Sequence, residues 1–101
     1  MANAQSPRQS KDALATTLSR IDDPAIMLAM LDDLCTPAEL TALCERWHIA
    51  QLLDEGELTY REIGARAGAS PTTVTRVARF LRDGGAGGYR AALDMQKEYA
   101  S

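Results

Sequence analysis

At Asp23-Pro24, Thr36-Pro37 and Ser70-Pro71 the chain places a helix-capping side chain directly before a proline. Proline's fixed φ suits the first helical position, where its missing N–H costs nothing, and the Asp, Thr or Ser before it accepts from an amide of the first turn. Each pair therefore predicts a helix start and forbids a helix that runs through it. Glu39, three residues after Thr36, completes a capping box, and Thr59 with Glu62 forms a second one without proline. Stops fall at Gly56, Gly68 and Gly84, where a residue lacking Cβ can leave the helix. No segment alternates as a half-buried strand would, and no internal repeat is present, so the fold class is all-α.

Between these marks the apolar spacing is helical. Leu14 and Leu18 predict a first helix over Lys11–Arg20. AIMLAMLDDL, after Pro24, is apolar almost all round, which suits a helix covered on more than one side. In a chain of 101 residues the second cover is expected from a partner subunit. Leu40, Leu43, Trp47, Ala50 and Leu53 define the inner side of the next helix. Val74, Val77, Phe80 and Leu81 do so for the helix after Pro71, and Leu93 anchors a last helix over Tyr89–Tyr99. Residues 1–10 are polar and expected to be a flexible segment, 11–93 the helical domain, and 94–101 a tail.

Composition excludes several functions. A hydrophobic fraction of 46% fits a globular chain, and no apolar run reaches the ~18 residues of a membrane span. MANAQSPRQSKD lacks the apolar centre of a secretory signal, and Cys35 and Cys44 fit neither a paired metal motif nor a disulfide framework. Both are expected as reduced core residues, which gives a cytoplasmic reading. His48 lies four residues after Cys44, but two ligands do not make a metal site, and nothing pairs a nucleophile with a base. No cofactor, metal or reaction is indicated.

Charge is uneven. Between Ile21 and Glu57 nine acids face one firm base, Arg46, whereas between Thr59 and Arg82 five arginines face Glu62 alone, a local balance of +4. Within that basic stretch, Gly64 permits close approach of two helices and Gly68 a tight turn, while Ile63, Ala67, Val74 and Val77 pin the pair. This predicts a helix-turn-helix whose second helix begins Ser70, Pro71, Thr72, Thr73, Thr75. Such residues meet base edges and phosphates of double-stranded DNA, with Arg61, Arg76 and Arg79 as further DNA-binding groups. The same hairpin would also serve a helical dimer that docks on another protein. The glycine run 84–88 matches no phosphate-binding loop and reads as a linker.

The stretch LCTPAELTALCERWHIAQLLDEGELTYREIGARAGASPTTVTR, continued by VARFLRDGGAGGYRAAL, resembles the Trp repressor superfamily, and within it the YerC/YecD-like branch. The resemblance covers roughly Leu34–Leu93 and implies an intertwined homodimer, with two recognition helices about one DNA turn apart. In the repressor the indole of tryptophan lies between two arginines, beside a glycine and a serine. The resemblance places Arg46 and Arg76 at the arginine positions, Val77 at the glycine and Phe80 at the serine. Those four residues form the implied effector pocket, with its slot filled by bulky side chains, so the expectation is a regulator unresponsive to tryptophan. An unidentified smaller effector stays open. Gly64 replaces a long basic side chain of the repressor, which implies a different operator.

Overall fold

A computed structural model describes residues 6–100. Six α-helices follow one another: α1 Pro7–Arg20, α2 Pro24–Leu34, α3 Pro37–Glu55, α4 Tyr60–Ala67, α5 Pro71–Arg79 and α6 Gly88–Ala100. A single π-helical turn, Phe80–Gly84, extends α5, and no strand occurs among the described residues. The expected starts are built as the chemistry requires. Asp23 accepts from the Ala25 amide at 2.9 Å. Thr36 and Glu39 satisfy each other's backbone amides at 3.1 and 2.8 Å. Gly56 and Gly68 take φ of 74° and 70°, left-handed values that a side chain would strain.

The first helix is longer than expected. α1 begins at Pro7, because Ser6 and Gln9 form a capping box that precedes the Leu14–Leu18 pair. It therefore takes in residues 7–10 of the segment expected to be flexible, and residues 1–5 lie outside the described ones. α6 follows the expected Tyr89–Tyr99 helix closely, so residues 94–100, also read as a tail, are helical.

The chain divides between Leu40 and Thr41 into two compact units. In the first, neither α1 nor α2 buries a residue, and Ile26, Leu28 and Leu34 are all about half exposed. In the second, Ile49, Ala50 and Leu52 of α3 form one core with Ile63 of α4, Val74 and Val77 of α5 and Leu93 of α6. Trp47, Leu53 and Tyr89 pack around it.

Two expected packing assignments are corrected by this core. Along α3 the buried positions are Ile49, Ala50 and Leu52, while Leu43 and Cys44 are exposed and Cys35 is half-buried. The apolar residues of α3 are spread around the helix, so spacing alone does not single out its inner side. On α5 the stripe is Val74, Val77 and Ala78, continued by half-buried Leu81. Phe80 falls off that i, i+3, i+4, i+7 series and is exposed.

Charge fastens α6 to α3. Asp54, with a side chain only 15% exposed, meets Arg90 at 3.0 Å and Lys97 at 2.9 Å. The hydrogen bond from Lys97 and the contacts with Arg90 outweigh burial and hold the Asp54 carboxyl below its usual range.

Candidate nucleic-acid interface

α4 and α5 are short, and each depends on its cap. Thr59 receives the Glu62 amide at 3.2 Å, and Glu62 receives the Thr59 amide at 2.9 Å. That backbone hydrogen bond, followed by the Thr59 hydroxyl, holds the Glu62 carboxyl below its ordinary value. α4 ends at Gly68, and the Ala69 amide returns to the Gly64 carbonyl at 2.9 Å. Gly64 is buried, and a Cβ there would lie 3.0 Å from the Ala69 carbonyl oxygen and 3.6 Å from a Val74 methyl. The small residue is what lets the turn close against α4. Ser70 then caps α5 by accepting from the Thr73 amide at 3.2 Å.

The outward side of α5 is an open groove of about 570 Å³ lined by Pro71, Thr72, Thr75, Arg76, Arg79 and Phe80. Arg61 is exposed on α4. Among the described residues, Arg61, Arg76, Arg79 and Arg82 have no carboxylate within ion-pair distance. Arg90 and Lys97 on α6 are both paired. A set of guanidiniums without carboxylate partners among the described residues is electrostatically available to an anion.

The hydroxyls are less uniform than the sequence suggests. Ser70 is occupied by its cap and by the Thr73 hydroxyl at 3.0 Å, and Thr73 is half-buried. The Thr75 hydroxyl donates its proton to the Pro71 carbonyl at 3.0 Å, which leaves the oxygen only as an acceptor. Thr72 is exposed, with no hydrogen bond from its side chain among the described residues. It is the hydroxyl with full donor and acceptor capacity at the start of α5.

The four effector-pocket residues differ in their surroundings. Arg76 and Phe80 line the groove, Val77 is fully buried in the core, and Arg46 is half-buried on α3 and not among the groove's lining residues. The Arg76 guanidinium lies over the Phe80 ring, 5.2 Å from its centroid. The signal for that contact is the i, i+4 spacing of the two residues, which brings them to one side of a helix.

With helices as its regular structure among the described residues, and with a closely joined helix pair whose outer side is cationic, the chain falls in the class of small all-α domains. It belongs to the Trp repressor protein family, which matches residues 9–97. It is also similar to the "Uncharacterized protein YerC" of Bacillus subtilis (strain 168), 38% identical over 87 residues, which span 86% of this chain and 82% of that one. Among the described residues no helix is long and apolar enough to cross a membrane.

Proposed function

We propose that the chain is a sequence-specific DNA-binding regulator of transcription, a repressor that acts as a homodimer. α5 enters the major groove with its N-terminal residues toward the bases, and α4 lies across the backbone as the first helix of a helix-turn-helix. The observation that carries this reading is the groove side of α5, where Thr72 offers an uncommitted hydroxyl and Arg76 and Arg79 offer unpaired cations. Thr72 reads a base edge, the Thr75 methyl meets a thymine methyl, and Arg61, Arg76 and Arg79 hold phosphates. Ser70, Pro71 and Thr73 build the helix start that aims them. Its amides and dipole favour a phosphate nearby.

A second copy of the chain covers α2. Ile26, Leu28 and Leu34 are exposed in the single chain, and α1 and α2 bury nothing by themselves. Membership of the Trp repressor family supports both the DNA partner and the homodimer. Tryptophan is not the effector on this reading, because Phe80 already lies beneath Arg76 and Val77 faces the core. Calorimetric titration with L-tryptophan is expected to show no saturable heat, and a clear isotherm would refute that part.

Selection of bound fragments from the host's genomic DNA at two salt concentrations tests the whole. A recovered palindrome with half-sites about 10 base pairs apart supports the dimeric regulator. Fragments that share no motif and bind only at low salt would overturn it.

A further inference from the structure

Phe80 is the chain's one phenylalanine, and it is 37% exposed at the rim of the α5 groove rather than in the core. Its backbone is held firmly. The Phe80 amide donates to the Arg76 and Val77 carbonyls, and the π-helical turn brings Gly85 so close to the Phe80 carbonyl that a Cβ at Gly85 would collide with it. On this base the ring lies under the Arg76 guanidinium, 5.2 Å from its centroid.

Stacking engages the flat face of a guanidinium and leaves the N–H groups in its plane free to donate. A stacked arginine can therefore grip an oxyanion without leaving the ring. Contact with the ring also favours some of its rotamers before the anion arrives, which lowers a cost that a free arginine meets in full on binding.

We propose that Phe80 is a positioning residue for DNA binding: its ring holds Arg76 extended across the groove, with its donors presented to a phosphate. The proposal rests on the DNA-binding reading above. Phe80 itself contacts no nucleic acid, and its influence passes through Arg76.

The test is a double-mutant cycle on a DNA fragment that the protein selects: wild type, Phe80→Ala, Arg76→Ala and the double variant, with Phe80→Tyr as the conservative replacement. Phe80→Ala is expected to weaken binding about two- to fivefold, the range of a partly exposed cation–π contact. In the Arg76→Ala background the same change should do nothing, and Phe80→Tyr should bind as wild type. A purely structural role would instead give equal losses in both backgrounds, together with a lowered thermal midpoint, and that result overturns the proposal. A second readout needs no DNA: the Arg76 side-chain protons should show an upfield ring-current shift by NMR that Phe80→Ala abolishes. Unshifted protons in the wild type also overturn it. If the wild type shows no salt-dependent DNA binding, the regulator reading fails and the positioning role falls with it. If the wild type binds and the cycle is additive, the positioning role alone fails.

Discussion

Arg79 gives the sharpest test of how the groove works. It is exposed, lines the groove, and has no carboxylate partner among the described residues. Arg79→Ala in a homodimer removes one guanidinium from each protomer. Each lost phosphate contact reduces the slope of log affinity against log salt by about 0.9, so the dimer's slope should become shallower by about 1.8. Between about 50 and 200 mM salt, some 0.6 of a decade, the difference amounts to about one log unit. The wild type should thus lose about ten times more affinity than the variant over that range. Lys97→Gln is the matched control, because Lys97 is already paired with Asp54 at 2.9 Å and lines no part of the groove. Fluorescence anisotropy of a labelled site, titrated at four salt concentrations, measures both slopes. Equal slope changes for the two variants, or none for Arg79→Ala, would refute the idea that unpaired guanidiniums on α5 neutralise phosphate.

Three further outcomes follow from the geometry. Gly64→Ala gains about 1 kcal/mol of helix propensity but places a Cβ 3.0 Å from the Ala69 carbonyl; overpacking costs about 1–3 kcal/mol, so calorimetry should show the melting temperature about 4–8 °C lower, and an unchanged value would mean the turn yields freely. Thr72→Val removes the uncommitted hydroxyl and should cost about fivefold on the selected site without changing affinity for unrelated DNA; a uniform loss on both would move Thr72 from reading to phosphate binding. Asp54 titrates below its usual range because Lys97 and Arg90 favour its charged form, so its stabilisation is present above the unfolded carboxylate value of about 3.9 and lost as pH falls through the lower native value. Asp54→Asn should therefore lower the melting temperature at pH 7 by about 2–4 °C, allowing for its solvent-accessible partners, and flatten the decline in acid; an equally steep acid decline in the variant would place the titration elsewhere.

What was legible in the sequence is what is local. Asp23, Thr36, Thr59 and Ser70 each act on an amide two or three residues away, and each cap forms as its residue type predicts. Gly68 and Gly64 were legible for the same reason, since a tight turn between two helices leaves few residue types able to fill it. The phase of a helix apolar on several sides was not legible. α3 could turn Leu43 or Leu52 inward by spacing alone, and the core selects Leu52 because α4, α5 and α6 converge there. For Phe80, register decides against hydrophobicity. Four residues from Arg76 and six from Val74, it shares the side of the cation rather than that of the core. Hydroxyl side chains mislead in a related way, because a run of Ser and Thr shows how many donors exist but not how many the helix start itself consumes.

The proposed function also explains why an acidic protein would suit DNA. The whole chain carries −3, yet the span from Thr59 to Arg82 carries +4. Elsewhere the excess of carboxylates repels phosphate, and within the second unit two of the remaining cations, Arg90 and Lys97, are neutralised by Asp54 and Asp94. Long-range attraction is therefore weak, and only the α4–α5 segment is favoured against a duplex. Sequence-independent affinity, which depends on the count of neutralised phosphates, is kept small in such a protein. Discrimination then falls to the few groups at the start of α5 that meet base edges. That is why, on this reading, the one free hydroxyl of Thr72 has more influence than it would on a uniformly basic surface.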